Sequence, residues 1–129
     1  MPKPTTDPAG DDPIAVNLSV LCGACAAPPE VRVLESGSRL ATFALRCPTA
    51  DDRATSVPVT AWDPPAWLEA VEPGERLVIV GRLRRRFFQR PGGVGSRVDV
   101  EAELVGRARD RRRLDTALRR AERALEALG

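Results

Sequence analysis

Arg82, Arg84, Arg86 and Phe88 occupy alternate positions of one segment. In an extended strand all four project from one face, while Leu83 and Phe87 point the other way. Guanidinium groups beside an exposed ring form a surface that suits single-stranded nucleic acid. The arginines neutralise phosphates, and the ring stacks on an unpaired base for about 1 to 3 kcal/mol. A duplex hides those base faces. Trp62 is a second candidate ring, because it falls on the opposite parity to Val57, Val59 and Ala61.

The following strand offers a competing use for the same arginines. If Val98, Val100, Ala102 and Leu104 face a core, Arg97, Asp99, Glu101 and Glu103 face outward. In an antiparallel hairpin the three acids then lie across from the arginines. Opposite charges across a ladder contribute only about 0.2 to 1 kcal/mol per pair, yet they cancel much of the local field. Two arrangements stay open: an arginine–carboxylate ladder alone, or a binding face made of Trp62, Phe88, Arg82, Arg84, Arg86 and Arg97. A second basic block runs from Arg107 to Arg123 with a net charge of +5. Its Arg111 and Arg112, together with Arg32 and Arg46, are further candidates for phosphate contact.

Other chemistries are poorly served. The chain has no His, which removes the commonest general base and metal ligand. Asp51-Asp52 and the acids from Asp99 to Glu103 have neither a phosphate-cradling glycine loop nor a convergent base. A non-enzymatic protein with no catalytic residue, no metal and no cofactor is expected. Cys22-Gly-Ala-Cys25 has the spacing of a zinc or redox motif, but zinc needs a fourth ligand and a redox pair should open a helix. The expected role of both thiols is as small apolar groups on a buried first strand.

The elements that must position these residues follow from pattern. A length of 129 residues suits one domain, and no apolar run is long enough to span a bilayer. Met1–Pro13 is rich in Pro and Asp, so a disordered tail is expected over 1–13; it holds no secretory segment, and with three cysteines in the chain this points to the cytoplasm. Ile14, Val16, Leu18, Val20 and Cys22 share one parity and predict a first strand. A short strand, Val31–Leu34, follows the Pro28-Pro29 turn; Arg39–Cys47 and Val57–Trp62 come next. Asp63 is placed to cap a short helix over Ala66–Val71. Arg76–Phe88 and Ser96–Val105 then flank a Gly-rich turn. Five strands with a small helix between the third and fourth predict an all-β OB-fold, a Greek-key barrel, over 14–106. From Asp110 to Leu128 there is no Gly or Pro, and Leu114, Leu118, Ala121, Leu125 and Leu128 recur at helical spacing. An Arg-rich amphipathic helix is expected over 107–129, its stripe available to the barrel, a second copy or a protein partner. Charge divides accordingly: residues 1–75 carry 5 basic and 11 acidic groups, residues 76–129 carry 15 and 7.

From about Asn17 to Val105 the sequence resembles the bacterial single-stranded DNA-binding protein family. The resemblance rests on Asn17-Leu18, Leu21, Gly23, Pro29-Glu30-Val31-Arg32, Ser36-Gly37, Ala41-Thr42-Phe43-Ala44-Leu45, Val59-Thr60-Ala61-Trp62, Leu68, Gly74 and Val78-Ile79-Val80-Gly81-Arg82-Leu83-Arg84. It implies an OB-fold that binds single-stranded DNA without sequence preference in replication, recombination or repair. It also implies a homo-oligomer, dimer or tetramer, associated with the nucleoid. By position, Trp62 and Phe88 correspond to stacking residues of the family, with Arg84 and Arg86 beside them. Ser56 stands where the family carries another aromatic, and the arginine-rich segment stands where it carries a flexible tail with an acidic tip, so recruitment through such a tip is not expected. The alternative expectation is an OB-fold interaction or oligomerisation module with weakened DNA binding, using Leu114, Leu118, Leu125 and Leu128.

Overall fold

Two long strands and the hairpin they form organise the molecule. A computed structural model describes residues 15–51 and 53–128; the expected tail over 1–13, Ile14 of the expected first strand, Asp52 and Gly129 lie outside the described residues. The elements are β1 (Ser19–Cys25), β2 (Glu30–Val33), β3 (Arg39–Pro48), β4 (Ala54–Trp62), a 3-10 turn (Ala66–Ala70), β5 (Arg76–Arg90), β6 (Gly93–Arg107) and α1 (Arg111–Glu126). β1 pairs antiparallel with β5 and crosses to β3 at Ala24 and Cys25, after which β2 continues along β3. The prolines 28 and 29 lack an N–H for the ladder, so they split what is otherwise one strand into β1 and β2. β3 pairs with β4, β4 runs parallel to β6, and β6 returns antiparallel to β5. This closes a five-stranded mixed barrel of the OB type, as the strand pattern predicts.

The barrel interior is filled by Phe43, Leu45, Val59, Leu77, Ile79 and Val100, with Leu68 of the 3-10 turn plugging one end. That 3-10 turn of 5 residues stands where a short helix is expected, and prolines 64, 65 and 73 leave no room for a longer element. Asp63 does not cap it. Its backbone takes a φ of 45°, and Oδ1 instead accepts from the Arg39 N–H at 3.0 Å, tying the end of β4 to the start of β3.

The inward parity of β1 is the reverse of the expected one. Leu21 and Cys25 face the core, whereas Val16, Val20 and Cys22 are exposed. Both parities of this strand are apolar, so alternation alone does not choose. The choice is made at Gly23, where β1 crosses so close to β3 that a Cβ would lie 2.3 Å from the Arg46 carbonyl oxygen.

A second correction concerns β6. Val80 pairs with Leu104 but Gly81 pairs with Ala102, so Glu103 is an extra, bulged residue. The bulge turns Leu104 out of the barrel and Val105 into it. Beyond Val100 the hairpin outruns the barrel, leaving Leu83, Phe87 and Val98 exposed rather than packed. Where β5 leaves β1, the Asn17 side chain takes over strand pairing. It donates to the Leu83 carbonyl at 2.9 Å and accepts from the Leu83 N–H at 2.8 Å.

α1 starts at Asp110, whose side chain accepts from the Arg113 N–H at 3.2 Å and caps the first turn. The helix folds back on its own barrel, packing Ala117 and Leu114 over Val78, Val80 and Leu104 on the outer face of β5 and β6. The buried line is Leu114, Ala117 and Ala121; Leu118 and Leu125 of the expected stripe remain 46% and 52% exposed. Small alanines permit close approach, and that rotates the contact away from the two leucines.

Candidate nucleic-acid interface

The pleat sorts side chains into one continuous outer face across β3, β4, β6 and β5. On it β3 places Thr42, Ala44 and Arg46, β4 places Pro58, Thr60 and Trp62, β6 places Arg97, Asp99 and Glu101, and β5 places Arg82, Arg84, Arg86 and Phe88. Trp62 and Phe88 are each 44% exposed. The Phe88 ring lies over Gly95, its cross-strand neighbour, where a side chain would collide with it. All six residues of the expected binding face therefore share one surface.

The ladder is present as well. Arg82 meets Glu103 at 2.7 Å, Arg84 meets Glu101 at 2.8 Å, and Arg86 meets Asp99 at 2.6 Å with Glu101 at 3.3 Å. Each arginine reaches diagonally to its acid, because Arg82, Arg84 and Arg86 stand directly opposite Glu101, Asp99 and Arg97. The deepest rung is Asp99, 1% exposed, whose Oδ2 also accepts from the Thr60 hydroxyl at 2.9 Å. That hydrogen bond joins the hairpin to β4. Its other oxygen, Oδ1, is buried with no hydrogen-bond partner among the described residues.

Arg97 differs from its neighbours. Among the described residues it has no carboxylate within 4.0 Å, and it borders a cleft of about 300 Å³ with Thr42, Ala44 and Pro58. Arg32 on β2 and Arg46 on β3 are exposed, and so are Arg111 and Arg112 in the first turn of α1. Two features escaped the sequence reading. Phe87, on the reverse face of the hairpin, is 71% exposed. Arg113 and Arg120 lean onto β6, donating long hydrogen bonds to the carbonyls of Val105 at 3.5 Å and Glu103 at 3.4 Å. Their seven-residue spacing was the available signal, since it puts them on one helical azimuth.

The cysteines are free. Burial pushes the thiols of Cys25 and Cys47 above their ordinary range, the backbone hydrogen bond at Ala27 having a smaller and opposite effect on Cys25. Among the described residues no group of three or more His, Cys, Asp or Glu is placed to hold a metal, and no helix is long and apolar enough to cross a membrane. At the far end of the barrel Arg107 lies over the Trp67 ring at 4.8 Å and in ionic contact with Glu75 at 2.9 Å. This fixes Trp67 away from the outer sheet face.

A closed five-stranded barrel followed by a C-terminal helix, with rings and arginines on one outer sheet face, defines the class as an OB-fold. Residues 16–110 match the Single-strand binding protein family, and the chain belongs to that family. Among solved structures it is similar to the wild-type single-stranded DNA binding protein from Thermus aquaticus, with 24% identity and a TM-score of 0.59. The likeness covers 71% of this chain and 40% of that one, so it spans less than half of the Thermus aquaticus chain. No curated protein sequence matches. Helix α1 (Arg111–Glu126) lies beyond the residues matched to the family.

Proposed function

We propose that this chain binds single-stranded DNA without sequence preference, as a non-enzymatic protein acting in replication, recombination or repair. Bases stack on Trp62 and Phe88, and Arg97 makes the first phosphate contact because among the described residues it has no carboxylate to leave. Arg82, Arg84 and Arg86 join by exchanging a carboxylate partner for a phosphate. The observation that carries this reading is the placement of two half-exposed rings and Arg97 on the same outer face. From Gly95, opposite Phe88, to Ala102, beside the Trp62 end, the strand rises about 23 Å at roughly 3.3 Å per residue, a span suited to several nucleotides. Family membership supports the same ligand. The binding domain is assigned to 14–106, with 107–129 as the helical appendage, and the setting is the cytoplasmic nucleoid.

The test is anisotropy of a labelled oligo-dT with Trp62→Ala and Phe88→Ala. Each is expected to cost about 1 to 3 kcal/mol of affinity. Wild-type affinity in both variants would overturn the stacking role. A second reading, self-association into a dimer or tetramer through α1, is favoured by the exposure of Leu118 and Leu125, seven residues apart on one side of the helix.

A further inference from the structure

We propose that α1 carries a second anion-binding track, which takes phosphates of the same single strand after it leaves the Trp62 end of the sheet. This rests on the reading of the outer face as a single-strand site.

The helix continues that face. Along β5 the outward side chains run Phe88, Arg86, Arg84 and Arg82, then Val80 and Val78, and the last two lie under α1. A strand following the sheet therefore meets the helix where the ladder ends. The junction is a cleft of about 300 Å³ whose walls include Trp62, Glu103 and Arg113. Arg113 and Arg120 are held on this side by their hydrogen bonds to the carbonyls of Val105 and Glu103. At 100° per residue Arg123, Arg112 and Arg119 come next round the helix, beyond Arg120. Arg119, Arg120 and Arg123 enclose with Thr116 a concavity of about 150 Å³.

Charge separates this flank from the ladder. Arg82, Arg84 and Arg86 each hold a carboxylate, whereas among the described residues no carboxylate lies within 4.0 Å of the guanidinium of Arg113, Arg119, Arg120 or Arg123. The helix acids Asp115, Glu122 and Glu126 cluster on the flank turned away from β6. A phosphate reaching the helix thus has no protein anion to displace. At Arg82, Arg84 and Arg86 it does.

The experiment compares the full chain with its Arg119→Ala/Arg120→Ala/Arg123→Ala variant, using a short oligo-dT of about 8 nucleotides and a long one of about 25. With the long strand, log affinity against log salt is expected to become shallower by about 2, three lost contacts at roughly 0.7 each. The short strand should bind both proteins equally. Because Arg120 touches the barrel, Arg119→Gln/Arg123→Gln serves as a second variant, with an expected change of about 1.4. Far-UV dichroism and melting report the fold of each. An unchanged slope for the long strand, with wild type binding both, overturns the track and leaves the sheet site standing. Equal losses for short and long strands also overturn it, since the arginines would then serve the sheet site. Wild type that binds neither strand defeats the underlying single-strand reading, and the track with it.

Discussion

Replacing Glu101 and Glu103 together with glutamine releases two rungs of the ladder and spares the third. Among the described residues Arg82 has only Glu103 as a carboxylate partner and Arg84 only Glu101, while Arg86 keeps Asp99 at 2.6 Å. Both acids are partly solvated, so each lost pair costs between about 0 and 1 kcal/mol of stability and the doubly substituted protein should melt close to wild type. Binding should change far more. Each freed guanidinium that contacts a phosphate near water gains about 1 kcal/mol, together about 30-fold at low salt. In wild type each carboxylate that gives up its arginine to a phosphate takes a cation back up, offsetting the counterion that phosphate releases. Without Glu101 and Glu103 that uptake is lost and the salt slope steepens by up to about 1.4, so between 0.05 and 0.2 M salt the variant should lose about sevenfold more affinity than wild type. Oligo-dT anisotropy across that salt range measures both quantities. Affinity and slope equal to wild type, in a protein that still melts normally, would refute the idea that the ladder restrains the binding face.

Asp99→Ala removes the buried anchor of Arg86 and Thr60, and because Arg86 retains Glu101 at 3.3 Å the cost should be about 2 to 3 kcal/mol, near the lower end for a broken buried pair. At roughly 2 cal/mol/K per residue that lowers the melting midpoint by about 10 °C, which calorimetry reads directly. Gly81→Ala drives a Cβ to 2.1 Å from the Glu101 carbonyl oxygen, and it should destabilise the barrel and loosen the bulge that presents Glu103, visible as faster amide exchange in β6. Only one of the three thiols, Cys22, should react promptly with a disulfide reagent in the native protein, the buried Cys25 and Cys47 requiring denaturant. The same burial raises the folded thiol pKa above the unfolded 9.0, so stability is intact below that pH and falls as pH rises past it; a urea midpoint that does not drop above pH 9.0 would contradict this.

Most of the barrel was legible because alternation in β3 and β4 sets a mainly apolar parity against a more polar one; in β5 the run Leu77–Val80 is apolar on both parities, and the outer one turns polar only from Arg82. In β1 both parities are apolar, so alternation does not identify the inward one, and the choice between them depends on a contact at Gly23 with a strand more than twenty residues away. The Glu103 bulge was equally hidden, since it coincides with a close backbone approach at Gly81 and no pattern in β6 marks it. For the candidate face, the sequence makes legible only which side chains share one side of the sheet. Parity alone placed Trp62, Phe88 and the three arginines together, and it anticipated the acids opposite. It could not distinguish Arg97 from its neighbours, because the diagonal reach of each arginine depends on register. The helix stripe misled for a related reason. Leucines mark an apolar side, but packing against β5 and β6 selects the closest approach, which Ala117 and Ala121 allow.

The central claim is that the outer sheet face stacks unpaired bases, and the Trp67→Phe variant tests it most directly. Trp67 lies beneath Arg107 at the far end of the barrel, so this substitution leaves Trp62 as the sole tryptophan reporter. Titration with oligo-dT at low salt should quench its fluorescence to saturation, and added salt should reverse the effect. Fluorescence that stays constant through the titration would contradict the account.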